Sequence, residues 1–103
     1  MRLVFAEPAA SDLDGIIEYI ALDIPAAADR VYSAFVAAAE RLQDFPEIGR
    51  AGRLPGTREL LVVSLPDIIV YEISGDTVTV LAVLHGARDL ARAILERRRE
   101  LER

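Results

Sequence analysis

Apolar and polar positions follow two rhythms along this chain, and each change of rhythm marks an element. Arg2-Leu-Val-Phe-Ala6 reads as a short strand over residues 2–6, stopped by Pro8. Pro8 also suits the first turn of a helix, where its missing N–H is not required. Leu13, Ile16, Ile17 and Ile20 then recur at i, i+3, i+4 and i+7, one apolar stripe on a helix over residues 9–21. Asp12, Asp14 and Glu18 lie off that stripe, and acids early in a helix suit its dipole. Pro25 opens a second helix in the same way. Its stripe is Val31, Phe35, Ala38 and Leu42, with Tyr32 and Ala39 at the margins, and Phe45-Pro46 ends it. The short link between the helices predicts an antiparallel hairpin.

From Pro46 to Gly56 the helical rhythm is lost. Three glycines and two prolines in this stretch predict a loop, and a mobile one. Three strand-like runs follow, over 58–65, 68–73 and 77–85. Pro66-Asp67 is the first turn pair, and Ser74-Gly75-Asp76 is a hairpin loop with the glycine it needs. In the last run strict alternation puts Val78, Val80, Ala82 and Leu84 on one face. Thr77, Thr79, Leu81, Val83 and His85 fall on the other. Both faces turn apolar towards the end, the pattern of a central strand. Gly86 breaks the strand. A helix over 87–103 is predicted next, with Leu90, Ile94, Leu95 and Leu101 apolar and Arg97-Arg98-Arg99 as a solvated run at its cation-favouring end. The chain therefore reads as α+β: an N-terminal strand, an antiparallel helical hairpin, a three-stranded antiparallel meander completing the sheet, and a C-terminal helix.

Composition narrows the chemistry. The length of 103 residues allows one domain, 1–103, and an apolar share of 52% is ample for its core. There is no cysteine, which excludes disulfides, thiolate nucleophiles and thiolate zinc sites; with a single histidine, no metal site and no cofactor are expected. The N-terminal apolar run is too short for a signal peptide, and no stretch approaches the roughly 18 apolar residues of a spanning helix. A soluble, cytoplasmic protein without a membrane partner is expected. Every basic residue is arginine, and the net charge is −5. That balance opposes sequence-blind phosphate binding, and no direct sequence-specific nucleic-acid binding is expected. Two basic islands stand out against it, Arg50, Arg53 and Arg58 around the loop, and the arginine-rich segment 88–103.

Five fragments, in order and spacing, resemble the ParE/RelE family of toxins. They are Ala10-Ser-Asp-Leu-Asp-Gly-Ile-Ile-Glu-Tyr-Ile20, Leu42-Gln-Asp-Phe-Pro-Glu-Ile-Gly-Arg50, Gly56-Thr-Arg-Glu-Leu60, Leu65-Pro-Asp-Ile-Ile-Val-Tyr71 and Val80-Leu-Ala-Val-Leu-His-Gly-Ala-Arg-Asp89. The resemblance spans nearly the whole chain and leans towards ParE. It implies the RelE/ParE toxin-like fold and a toxin of a bacterial type II toxin–antitoxin, or plasmid stabilisation, system. It also implies a cognate antitoxin, ribbon-helix-helix and ParD-like, in a hetero-oligomer with the toxin. RelE-like members of the family cut mRNA on the ribosome, whereas characterised ParE members poison DNA gyrase. In the RelE-type cationic set, one arginine falls where this chain has Ile68, another matches Arg88, and a late tyrosine falls near Ile94. No lysine is present to fill the remaining roles. Gyrase is the expected target, with no catalytic residues. The alternatives are an mRNA endoribonuclease using His85 and Arg88, and a non-toxic homologue that only binds antitoxin.

Residue by residue, His85 is either a general acid or base or a strand-end histidine whose nitrogens cap the next helix or bond backbone. Arg88 suits a phosphate or an antitoxin carboxylate. Arg50 and Arg58, with Arg53, could clamp an acidic partner through bidentate pairs. The partner-binding set expected from the sequence is therefore Arg50, Arg58 and Arg88. Tyr71, in mid-strand, reads as core.

Overall fold

The computed structural model describes residues 1–63, 65–85 and 90–102. Its elements run β1 (Arg2–Phe5), α1 (Glu7–Ala21), α2 (Pro25–Asp44), β2 (Arg50–Ala51), β3 (Arg58–Leu61), β4 (Asp67–Ser74), β5 (Thr77–His85) and α3 (Leu90–Leu101). Pro8 lies in the first turn of α1 and Pro25 in that of α2, as their missing N–H groups allow. The five strands form one sheet in the order β1-β5-β4-β3-β2. β3, β4 and β5 are the antiparallel meander read from the sequence, and β1 joins it parallel to β5. β5 is central, flanked by β1 and β4. The β4–β5 hairpin turns through Gly75 at φ +59°, a conformation that favours glycine.

The hairpin α1–α2 covers one face of the sheet. Leu13, Val31, Phe35, Ala38 and Leu42 from the helices pack on Ile69, Tyr71, Val78, Val80 and Val83. The predicted stripes are thus the buried ones. The opposite face carries a smaller core, Ile68, Val70, Ala82 and Ile94, with Leu54 and Leu84 against it. Among the described side chains α3 supplies Ile94 to it; Leu95 and Leu101, read as part of its apolar stripe, are exposed.

Three sequence expectations are corrected. The 46–56 loop contains the two-residue strand β2, where Arg50 pairs opposite Glu59 and Ala51 opposite Arg58; too few residues pair to create a periodic signal. The run 58–65 ends as a strand at Leu61, because Val62 N–H turns to the carbonyl of Asp67 and Leu65 N–H to that of Val62. The alternation of β5 is broken. Val70 pairs with Ala82 but Tyr71 with Val80, so Leu81 is an extra residue in β5. A bulge of this kind reverses the faces beyond it. Val83 therefore joins Val78 and Val80 under the hairpin, while Ala82 and Leu84 turn towards α3.

Candidate partner-binding surface

The segment between α2 and β3 is built around two buried polar side chains. Tyr71, fully buried on β4, donates its hydroxyl to the Pro46 carbonyl at 2.7 Å and accepts the Gly49 N–H at 2.9 Å. Gly49 is required there: a Cβ would lie 2.6 Å from the Tyr71 hydroxyl and 3.0 Å from the Glu59 carbonyl. Burial pushes the Tyr71 pKa above its ordinary value, against the opposing pull of the Gly49 hydrogen bond. The second anchor is Glu59. Its carboxylate accepts Arg50 Nη2 at 3.2 Å and the Arg53 backbone N–H at 2.9 Å, and the Arg53 Nε stands 3.6 Å away. Thr57 Oγ1 closes the tip on the Leu54 carbonyl, and Gly52 N–H bonds the Thr57 carbonyl. This segment is tied at both ends and in its middle. A freely mobile loop, as composition suggested, does not describe it.

Arg50 and Arg58 come together here, but with different duties. Arg58 Nη1 donates to the carbonyls of Glu47 and Gly49, at 3.3 and 2.8 Å, so one arm holds the loop backbone. Arg50 reaches Glu59 through a single nitrogen and keeps an exposed guanidinium. Arg98 of α3 joins the same surface, donating to the Pro55 carbonyl at 3.2 Å and lying 3.8 Å from Glu72. Neither Arg98 nor Arg97 belongs to a solvated run as expected. Arg97 turns inward to pair with Asp12 of α1, at 2.7 Å. Arg88 lies outside the described residues.

His85 sits elsewhere. It pairs directly across the ladder with Asp67, and Arg58 pairs with Tyr71, four residues further along β4. At about 3.3 Å per residue that separates the two ends by about 13 Å. His85 Nδ1 and Asp67 Oδ1 are hydrogen-bonded. Asp67 is 1% exposed, and its Oδ2 has no partner among the described residues. The histidine therefore bonds a buried carboxylate, and its ring is half-exposed. The sequence pattern marks none of Asp67, Glu59 and Asp12 as an anchor: Asp67 reads as a turn residue, Asp12 as one of three acids off the α1 stripe, and Glu59 as a lone acid beside Arg58.

No helix among the described residues is long and apolar enough to cross a membrane. The sequence profile of the ParE toxin of the type II toxin–antitoxin system, parDE, matches residues 3–90. The candidate toxin Y4kP of Sinorhizobium fredii is 45% identical over 74 residues, 72% of this chain and 76% of that protein. Toxin RelE2 of Caulobacter vibrioides is 34% identical over 87 residues, 84% of this chain and 97% of its own length. Two solved structures share the fold. A chain from the chromosomal ParDE system of P. aeruginosa aligns with TM-score 0.71 and 24% identity, covering 84% of this chain and 97% of that one. The isolated E. coli RelE toxin aligns with TM-score 0.55 and 16% identity, covering 94% and 96%. The profile match spans the sheet and the helical hairpin described above, and this chain belongs to the ParE toxin family of type II toxin–antitoxin systems.

Proposed function

We propose that this toxin poisons DNA gyrase in the cytoplasm by binding it and trapping the DNA-cleaved enzyme, and that a ribbon-helix-helix antitoxin of the ParD kind neutralises it. Such a pair would serve plasmid stabilisation. The observation that carries this reading is the fate of two positions. Ile68 and Ile94 stand where the RelE-like resemblance places an arginine and, nearby, a tyrosine. Here they are 7% and 2% exposed and share one apolar cluster with Val70 and Ala82. Cleaving a phosphodiester through a 2′-hydroxyl asks for an acid, a base and cations at the developing charge. Two of those positions are instead committed to holding α3 on the sheet. The antitoxin is proposed to lie across the hairpin and the sheet, its acids meeting Arg50, Arg58 and Arg88.

A second reading, an mRNA endoribonuclease using His85 and Arg88, draws support from Asp67, which orients the imidazole as a general base would require. Inducible expression of the chain alone, then with its antitoxin, separates the readings. Growth arrest with an SOS response, rescued by the antitoxin, and linearised plasmid with purified gyrase are expected. Ribosome-dependent mRNA cleavage without a cleaved DNA complex would reverse the order of the two readings. Unimpeded growth at verified soluble levels would leave a non-toxic antitoxin-binding homologue.

A further inference from the structure

Glu59 is nearly sealed from solvent, its side chain 2% exposed, yet two cations converge on it from the surface. The Arg50 side chain is 66% exposed and that of Arg53 39%. One carboxylate cannot neutralise two guanidiniums. Each guanidinium carries five N–H donors in a rigid fork. Among the described residues Arg50 commits one nitrogen to Glu59, and the Arg53 guanidinium makes only the 3.6 Å contact. The pair is held in place from below and presents unused donors above. Beside it lies a hollow of about 290 Å³, lined by Ile48, Leu60, Leu61 and Ile68 together with Arg50 and Glu59. β2 covers the outer edge of β3 only opposite Arg58 and Glu59, so Leu60 and Leu61, paired with β4 on their inner side, have no strand on their outer side among the described residues. Leu61 is 64% exposed.

An open strand edge, an aliphatic hollow and a cation pair within a few residues describe one kind of ligand. Extended peptide can pair along a free edge and place alternate side chains in pockets. Nucleic acid fits less well, because the hollow has no aromatic wall for a base and the whole chain carries −5. We infer that Arg50 and Arg53, organised by the buried Glu59, receive a carboxylate from an extended acidic and apolar segment of the antitoxin, which lies along the free edge of β3 and seats a large apolar side chain against Leu61. The inference rests on the reading that an antitoxin holds this toxin, and it adds Arg53, Glu59 and Leu61 to the contact.

The test uses the full chain and the full-length antitoxin encoded beside it, titrated at several salt concentrations. The variants are R50A/R53A and L61D, with R92A/R99A on the exposed face of α3 as the charge-matched control. L61D alters an exposed side chain and keeps the test valid should the double arginine variant lose its fold. R50A/R53A should weaken binding by about tenfold to a hundredfold and flatten its salt dependence. L61D should weaken it comparably, and R92A/R99A should change it by less than about threefold. Intact binding that treats R50A/R53A and L61D like the control overturns this site alone. No binding by the unaltered chain overturns the antitoxin reading and this inference with it. Loss of affinity for a short DNA duplex, with antitoxin affinity intact, would assign the pair to phosphate and overturn the inference.

Discussion

Asp12 on α1 and Arg97 on α3 meet in a two-point pair, Nη1 to Oδ2 at 2.7 Å and Nη2 to Oδ1 at 2.8 Å. The same two side chains serve the backbone around the bulge in β5. Val83 N–H donates to Asp12 Oδ2 at 3.0 Å, and Arg97 Nη1 donates to the Leu81 carbonyl at 3.1 Å. β1 reaches only as far as Val80, so these groups lie just past the end of its ladder. One ion pair thus joins the first helix, the irregular part of the central strand and the last helix.

Removing either partner should therefore be costly. D12A and R97A are each expected to lower stability by about 2–4 kcal/mol, below a fully buried pair because both side chains remain partly exposed. The double variant should lose clearly less than the sum, since the pair acts as a unit. Urea unfolding of the four proteins measures this coupling, and strict additivity would show that the pair is incidental. The hydrogen bond to Asp12 raises the Arg97 pKa further above its ordinary value. Stability gained in this way is complete below the unfolded-state pKa and lost only as pH rises through the folded one. The contribution should stay flat across neutral pH.

Tyr71 offers the complementary alkaline test. Its raised pKa means that the unfolded chain ionises first as pH climbs past about 10. Stability from the buried neutral phenol is complete below that point and falls as pH rises towards the folded-state value. Y71F should cost about 1–3 kcal/mol at neutral pH by leaving the Gly49 N–H and the Pro46 carbonyl without their partner. It should also flatten the alkaline limb of the stability curve. An unchanged limb would place that titration elsewhere.

Gly49 should tolerate no side chain. A Cβ would meet the Tyr71 hydroxyl and the Glu59 carbonyl at once, and the latter is backbone that cannot swing away. G49A is expected to lower the melting temperature, with a loss of order 1–3 kcal/mol typical of overpacking. Wild-type stability for G49A would mean that the 46–57 segment can shift as a body.

His85 separates fold from chemistry. H85A leaves Asp67 buried without its partner and should destabilise the chain by about 1–3 kcal/mol, whereas H85A/D67N should recover part of the loss. Under the proposed gyrase mechanism H85A still arrests growth when compared at equal levels of folded protein. Complete loss of toxicity at matched folded levels would favour the endoribonuclease reading.

Local pattern was sufficient for much of this structure. The stripes through Leu13 and Ile20, and through Val31 and Leu42, mark the faces that the helices bury. The meander follows from three strand-like runs and a Gly75 turn, because burial of one helix face or sheet face imposes its period on nearby residues. What only the tertiary structure decided has no such period. The extra residue at Leu81 reverses the faces of β5 without any change in its apolar composition. β2 exists because Arg50 and Ala51 meet β3 across the loop, and two residues cannot make a pattern. Arg97, in a row of three arginines, turns inward because Asp12 waits 85 residues away, while Glu59 is buried beneath Arg50 and Arg53 and Asp67 is buried with His85 hydrogen-bonded to it. Burial of a charge depends on a partner brought by the fold, and that partner's distance along the chain is free to take any value.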